Sequence, residues 1–308
     1  MSTLTLRHPI HTLDNQLLFP KGALLSAEAL DGLISLNKYS SQQGNYITQH
    51  GSIRKESLHF LSNPPYNIIF TDLRKIANFL NLIDSVRLAP PFLESLDYFK
   101  RYDFYTYRHV LLVFALSSLL AQYLIPDYKS RVLEAATGPT HDIGKICVPL
   151  HVLKKSTPLT RTEWGMLEHH AVAGYVLLSY YLKDIRNIAT IVARDHHERK
   201  DGSGYPSGIH QTDSMVEIIT VSDIYDALIS KRPYRPVSYD NRTALEEITS
   251  MAEKNKIGWG AVKALVALNR RDKPHYSDIR VSKEKRGTSP QNNLYGIIAD
   301  KKSPSQQH

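Results

Sequence analysis

Paired histidines and a carboxylate are the residues of this chain with the clearest chemical potential. They are His141-Asp142, His169-His170, His196-His197 and the single Asp223. A lone histidine is usually an ordinary core or surface residue, but three such pairs among 14 histidines are harder to explain by packing alone. Asp223 lies in an apolar segment, where an ionised carboxylate is unfavourable unless it is paired or bound to a metal. The set predicts a metal site.

The chemistry that suits this set is hydrolysis at two metal ions. Two divalent ions about 3.5–4 Å apart can polarise a phosphoryl group and activate water. Asp142 is the natural bridge, because it has two oxygens and follows His141 at a predicted helix end. Neutral imidazoles would fill the other positions. Without a thiolate ligand the set favours iron, manganese, cobalt or zinc. We expect two divalent ions, iron first and manganese as the alternative, because mixed His/Asp sites of higher coordination suit these two best.

Helices must position these residues. The chain after Ala89-Pro90-Pro91 has helical patterns and almost no strand signal. The predicted helical segments are residues 92–122, 129–142, 160–181, 184–196, 214–230, 238–253 and 259–269. Thr160 and Glu163 have the spacing of a capping box at the start of the third. The pattern predicts an all-α helical bundle over residues 89–275.

Residues 1–88 differ from the bundle and predict a small N-terminal α or α+β accessory domain. Residues 15–22 have the pattern of a short strand and turn, and Ser26 is a suitable cap for a helix that ends near Leu36. Residues 68–86 have helical spacing. At the other end, residues 276–308 are polar and basic, which predicts a loosely held tail.

Composition limits the class of protein. The only cysteine, Cys147, excludes a disulfide framework and a CxxC zinc site. A net charge of +8 suits an anionic ligand, although a solvated basic surface explains it as well. No basic stretch interleaved with aromatics points to a nucleic-acid polymer. The longest apolar stretch, residues 110–125, is shorter than the roughly 20 residues of a spanning helix. With no signal-peptide pattern, we expect a cytoplasmic protein without membrane association.

Several motifs resemble those of a known family. Residues 140–146, Thr-His-Asp-Ile-Gly-Lys-Ile, resemble the defining motif of HD-domain phosphohydrolases. Residues 196–206, His-His-Glu-Arg-Lys-Asp-Gly-Ser-Gly-Tyr-Pro, resemble the signature of the HD-GYP branch. His170 with Gly174, residues 221–228 and residues 231–235 are similar to three further motifs of that branch. All five occur in family order between about residues 105 and 269.

The resemblance implies a role for each matching residue. It implies that one metal is held by His109, His141, Asp142 and Asp223, and the other by Asp142, His170, His196 and His197. Asp142 and Lys145 would be catalytic, and Lys145, Arg232 and Arg235 would bind substrate phosphates. His170 is preferred to His169 because only His170 has the family spacing to Gly174, and adjacent helical residues diverge by about 100°. Glu198 would either orient a ligand imidazole or be a plain surface carboxylate.

The Gly204-Tyr205-Pro206 loop has two interpretations. In the family this loop lies near the site or receives protein partners, and diguanylate cyclases are a plausible class of partner. An ordinary surface turn is the alternative.

Three positions depart from the family pattern. Tyr105 stands where some members have a glutamate that binds a third metal, so we expect two metals. Leu112 replaces an arginine, and Gly138-Pro139 should break the helix that leads into the HD pair. These changes spare the ligands but put turnover in question.

The implied function is a phosphodiesterase that hydrolyses cyclic di-GMP to linear pGpG, with a second cut to GMP left open. The principal alternative is a signalling module that keeps its metals, has little or no catalysis and acts through protein partners. A phosphohydrolase for nucleotides or monophosphates is the third interpretation, and the Gly-Tyr-Pro signature argues against it. Residue types alone establish only a phosphoester hydrolase, whose ligand would be cyclic di-GMP or phosphate.

Overall fold

The computed structural model describes residues 4–37, 44–231, 237–282, 284–290 and 298–299. Arg232 and Arg235, both predicted to bind phosphate, lie outside this part of the chain.

Helices make up most of the described chain. In order they are α1 (Ala27–Leu36), α2 (Ile53–Ser62), α3 (Leu73–Ser85), α4 (Pro90–Tyr102), α5 (Phe104–Leu124), α6 (Tyr128–Ala135), α7 (Thr137–Thr140), α8 (Leu150–Leu153), α9 (Arg161–Leu182), α10 (Ile188–Asp195), α11 (Ser214–Ile229), α12 (Asn241–Glu253) and α13 (Trp259–Asn269). Short 3-10 helices cover Ile47–Gln49, Tyr66–Ile68, Ile143–Cys147 and Tyr276–Asp278. The predicted all-α bundle is confirmed.

The N-terminal part is α+β, as predicted. Its strands are β1 (Leu4–Thr5), β2 (Ile10–His11), β3 (Leu17–Phe19), β4 (Leu24–Leu25), β5 (Asn45–Tyr46) and β6 (Arg87–Leu88). They form three antiparallel pairs, β1 with β4, β2 with β3 and β5 with β6. Ser26 accepts a hydrogen bond from the amide of Ala29, which confirms the predicted cap of α1. Buried residues of this part, such as Leu25 and Tyr66, share one apolar core with the bundle.

Helix α5 passes through the centre of the bundle. Nearly every residue from Thr106 to Ala121 is buried, so the helix is apolar on all sides rather than amphipathic. At 21 residues it is long and apolar enough to cross a membrane, but 83% of its most apolar window is buried inside the protein. The helix is longer than the apolar stretch 110–125 that the sequence showed, and the prediction of a core helix is confirmed.

Two predicted helices are interrupted. The predicted helix over residues 92–122 is two helices, because Asp103 leaves helical geometry and accepts a hydrogen bond from the Thr106 amide at the start of α5. The segment before the HD pair divides into α6 and α7 near Ala136, so the predicted break is confirmed. The capping box of Thr160 and Glu163 at the start of α9 is also confirmed.

The beginning of the C-terminal segment packs on the bundle. Ile279 is buried against Val266 and Ala267 of α13. The amides of Arg286 and Gly287 donate to the Glu246 carboxylate on α12. The prediction of a loosely held tail is therefore wrong for these described residues, where an apolar side chain and backbone hydrogen bonds anchor the segment.

Candidate metal centre

The predicted ligands come from five places in the bundle and meet at its centre. His109 lies on α5, and His141 and Asp142 directly follow α7. The others are His170 on α9, His196 and His197 after α10, and Asp223 on α11. Atoms of His109, His141 and Asp223 lie within 4.8 Å of one another, and so do atoms of His170, His196 and His197. The structure therefore brings together all seven residues predicted to hold metal.

Two glycines allow the elements around Asp142 to approach closely. A Cβ atom on Gly144 would lie 1.9 Å from the carbonyl oxygen of His170 and 2.4 Å from the amide nitrogen of Gly174. A Cβ atom on Gly138 would lie 2.7 Å from the Cα atom of Phe114. These close approaches place α7 directly against α5, and the turn after α7 directly against α9. Gly138 is thus needed for packing, and its carbonyl lies 2.7 Å from Nδ1 of His141.

Main-chain carbonyls and one carboxylate orient the imidazoles. The Nδ1 atoms of His141, His170 and His196 face the carbonyls of Gly138, Leu167 and Val192. Nδ1 of His109 lies 2.5 Å from Oδ2 of Asp226. In the neutral form of each ring Nδ1 then carries the proton, so Nε2 is the nitrogen that would present its lone pair to a metal. This arrangement is the one that metal-binding histidines need.

The two oxygens of Asp142 face different imidazoles. Oδ2 lies 3.4 Å from Nε2 of His109 and 3.3 Å from Nε2 of His141. Oδ1 lies 3.3 Å from Nε2 of His170 and 3.9 Å from Nε2 of His196. Asp223 completes the first group, with Oδ1 3.1 Å from Nε2 of His109. One carboxylate thus joins two groups of ligands.

The donor atoms fit a metal. Nε2 of His170 lies 3.1 Å from Nε2 of His197 and 3.3 Å from Nε2 of His196, so three ring nitrogens converge on one place. Nε2 of His141 is buried and makes no hydrogen bond within the described chain. A buried cation would coordinate these nitrogens, whereas apolar surroundings would leave them without any polar partner. The His/Asp groups could therefore bind metal ions.

Electrostatics in the first group favour a positive charge. Burial alone lowers the pKa of His109, but the carboxylates of Asp142, Asp223 and Asp226 outweigh it and raise this pKa to about 10. Burial alone would raise the pKa of Asp142, but the Lys145 ammonium and nearby imidazoles hold it well below its usual range. The Lys145 Nζ atom is 2.5 Å from Oδ2 of Asp142. The carboxylates of Asp142 and Asp223 are therefore ionised, and they would bind a cation.

The second group consists of neutral imidazoles. Burial lowers the pKa of His170 to about 4 and that of His196 to about 3, and neighbouring positive groups contribute. Burial and the adjacent His196 hold the pKa of His197 well below its usual range. All three rings are therefore unprotonated near neutral pH and need not release a proton to bind metal.

The Gly204-Tyr205-Pro206 loop lies on the second group. The Tyr205 ring stacks on His197, with centroids 4.5 Å apart and planes at 22°. Glu198 is buried, and its Oε1 accepts hydrogen bonds from the amides of Ser207 at 2.6 Å and Gly208 at 3.1 Å. Both sequence interpretations of Glu198 are wrong, since this carboxylate is neither exposed nor bound to an imidazole but holds the loop. The loop is likewise not an ordinary surface turn.

Other positions singled out in the sequence lie where packing explains them. The His169 ring points away from the ligands and contacts His8, with centroids 5.4 Å apart. Tyr105 stacks on His109 at a centroid distance of 6.2 Å, and Leu112 is buried in the apolar core.

Sequence reasoning missed two residues, Asp226 and Tyr66. Asp226 lies three residues after Asp223, a spacing that places both carboxylates on one face of a helix. That signal was available. Tyr66 donates a hydrogen bond to Asp226 across 160 positions of sequence, and no local pattern could have indicated that contact.

Comparisons with known proteins agree with this geometry. The family model described as HD domain matches residues 101–258. The cyclic di-GMP phosphodiesterase PA4108 of Pseudomonas aeruginosa is 39% identical over 177 residues, which cover 56% of this chain and 41% of that protein. The cyclic di-GMP phosphodiesterase response regulator RpfG of Xanthomonas campestris is 39% identical over 122 residues, covering 39% of this chain and 32% of that one.

A third relative is named for a different substrate. The 3'3'-cGAMP-specific phosphodiesterase 2 of Vibrio cholerae is 33% identical over 121 residues, which cover 39% of this chain and 23% of that protein. The chain thus spans less than half the length of each of these relatives. The matched family region includes every predicted metal ligand, and the signature with Gly204-Tyr205-Pro206 lies inside it. The chain therefore belongs to the HD domain family.

Proposed function

We propose that this chain is a metal-dependent phosphodiesterase that hydrolyses cyclic di-GMP to pGpG, with a second cut to GMP left open. The observation that carries the proposal is the position of Asp142, of which one oxygen faces His109 and His141 and the other faces His170 and His196. A single bridging carboxylate between two sets of nitrogen ligands suits a pair of divalent ions. The names of the relatives point to cyclic dinucleotides as the substrate class.

The ligands divide into two sets. His109, His141, Asp142 and Asp223 would hold one ion, and Asp142, His170, His196 and His197 the other. Two such ions supply Lewis acidity at a phosphodiester and activate water. Iron is the proposed metal and manganese the alternative, because mixed imidazole and carboxylate sites without thiolate suit both.

Residues of the chain would also bind the substrate. Lys145 is only partly buried, and its ammonium lies beside Asp142, where it could pair with a phosphate oxygen. Arg232 and Arg235 remain proposed phosphate ligands on the resemblance alone. Gly204-Tyr205-Pro206 is proposed to support His197, and binding of protein partners such as diguanylate cyclases at this loop is a further possibility to test.

The proposal includes the organisation and location of the chain. We assign residues 1–88 to an accessory domain, 89–275 to the HD-GYP domain and 276–308 to a C-terminal segment. A cytoplasmic location is supported by the unpaired Cys147.

The signalling-module alternative gains little from the positions that first suggested it. Leu112 fills the core, and Gly138 allows the close contact of α7 with Phe114. Neither position removes a ligand from the site, so loss of catalysis does not follow from them.

Hydrolysis assays test the proposed activity. Anaerobically purified protein supplied with Fe²⁺ or Mn²⁺ should convert cyclic di-GMP to pGpG, and 3'3'-cGAMP should be offered in parallel. His197→Ala should reduce turnover to background, because it removes a ligand of the second ion. His50→Ala is the matched control, since His50 pairs with Asp97 at the surface, and it should retain activity. Fully metallated wild-type protein that leaves both dinucleotides intact over hours would contradict the proposal.

A further inference from the structure

A buried chain of hydrogen bonds runs from the N-terminal part to the metal centre. Asp226 on α11 is fully buried, and its Oδ2 lies 2.5 Å from Nδ1 of His109. Its other oxygen, Oδ1, accepts from the hydroxyl of Tyr66 and, at 3.0 Å, from the hydroxyl of Ser230. The hydroxyls of Tyr66 and Ser230 are themselves 2.9 Å apart. Both oxygens of this carboxylate are thus engaged.

Tyr66 comes from outside the matched family region. It begins the 3-10 helix Tyr66–Ile68, which connects α2 and α3, whereas the match begins at residue 101. The side chain is fully buried, so water cannot replace its hydroxyl without repacking. The guanidinium of Arg108, next to His109 on α5, lies 5.8 Å from the centre of the Tyr66 ring. This guanidinium gives the buried ring a contact besides its hydrogen bond.

The position of Asp226 determines what His109 offers to a metal. A carboxylate that accepts the Nδ1 proton fixes the tautomer and the angle of the ring, leaving Nε2 free to coordinate. In this structure Nε2 of His109 faces Asp142 and Asp223 at 3.4 and 3.1 Å. A buried carboxylate needs hydrogen-bond donors on both oxygens to stay fixed as an anion. Tyr66 and Ser230 supply them on the side away from His109.

We infer that Tyr66 is a positioning residue of the metal centre, supplied by the N-terminal accessory part and acting through Asp226 on His109. This inference rests on the proposed metal centre but not on any catalytic activity. It assigns the accessory part a direct contribution to the affinity of the ion that His109 binds.

Metal affinity tests the inference. The full-length protein would be loaded with Mn²⁺ and titrated with a competing chelator, for the wild type and for Tyr66→Phe. Loss of an outer hydrogen bond to a metal ligand typically weakens metal binding by about 10–100-fold. We expect a loss of that size at one ion and an unchanged affinity at the other, because Tyr66 reaches only the group that contains His109.

Tyr225→Phe is the matched control. Tyr225 is also fully buried, lies on α11 and donates its hydroxyl hydrogen bond to Asn269 at 2.9 Å instead of to Asp226. Both variants lose one buried hydroxyl, so their denaturation midpoints should shift similarly while only Tyr66→Phe changes metal affinity. Ser230→Ala removes the second donor to Oδ1 of Asp226 and should weaken the binding of the same ion. This variant tests the inference even if Tyr66→Phe folds poorly.

Two outcomes would overturn the inference, and each is distinct from failure of the proposed function. If the wild type binds two ions and Tyr66→Phe binds both as tightly, Tyr66 does not position His109. If Tyr66→Phe and Tyr225→Phe weaken metal binding equally, the effect is general destabilisation. If the wild type binds no metal at all, the proposed metal centre itself fails.

Discussion

Replacing Gly144 with alanine should separate the two halves of the metal centre. The added Cβ atom would lie 1.9 Å from the His170 carbonyl oxygen, and such contacts are essentially never seen below 3.0 Å. The turn that carries Asp142 must therefore move away from α9 by about an ångström, more than the roughly 0.5 Å that a functional site tolerates. This movement would lengthen the distance between Asp142 Oδ1 and His170 Nε2, which is 3.3 Å in the wild type.

The expected magnitude has two parts. Overpacking of this kind destabilises a protein by about 1–3 kcal/mol, and occasionally by more. Binding of the ion held by His170 should weaken at least tenfold, in line with the roughly 10–100-fold losses seen when ligand orientation is disturbed. Denaturant titration of the metal-free protein measures the first effect, and Mn²⁺ competition with a chelator measures the second.

Gly165→Ala on α9, the helix that Gly144 packs against, provides the control. A Cβ atom there meets nothing within 4 Å, so alanine should be neutral or stabilise the helix by about 0.5–1 kcal/mol. The reasoning is refuted if Gly144→Ala has wild-type metal affinity and an unfolding free energy within about 0.5 kcal/mol of the wild type.

Three further predictions concern charge and ring contacts at the site. The pKa of His109 is raised from 6.5 to about 10, so its contribution to the stability of metal-free protein is complete below about pH 6.5 and is lost as pH rises through 10. At about 1.4 kcal/mol per pKa unit, the stability lost in this way is at most about 5 kcal/mol. Identical pH profiles of the denaturation midpoint with and without Mn²⁺ would contradict this prediction. Lys145→Ala should weaken the binding of inorganic phosphate, measured by calorimetry, by about 1.5–3 kcal/mol. The variant should keep its metal ions, because the ammonium lies beside Asp142 but is not a ligand. Unchanged phosphate affinity would exclude a role of Lys145 in binding phosphate. Tyr205→Ala should weaken binding of the ion held by His197, whereas Tyr205→Phe keeps the stacked ring and should keep the wild-type affinity. Equal metal affinities of the two variants would show that the stacking does not contribute to metal binding.

The family resemblance accounted for the ligand set, and local patterns accounted for most of the helices. The choice of His170 over His169 followed from the family spacing to Gly174, and the structure places only His170 beside Asp142. The division of the long helix at Asp103 was missed, although Asp103 and Thr106 have the spacing of a cap. Gly138-Pro139 was correctly expected to interrupt a helix, but its close approach to Phe114 could not be read from the sequence.

Contacts between distant segments account for the rest. Tyr66 and Asp226 are 160 positions apart, and their contact depends on how the N-terminal part packs against α11. The environment of Glu198 depends on the path of the loop that follows it, which brings the amides of Ser207 and Gly208 to its carboxylate. Such contacts arise from tertiary packing, and neither periodicity nor composition encodes them.

Metal analysis of Asp142→Ala tests the central claim most directly. The account predicts two ions per chain in fully loaded wild-type protein, and none in Asp142→Ala, because the two oxygens of Asp142 face both groups of ligands. Asp97→Ala removes an exposed carboxylate and should keep both ions. If Asp142→Ala retains one tightly bound ion, Asp142 is a ligand of a single metal and the bridged two-metal centre is wrong.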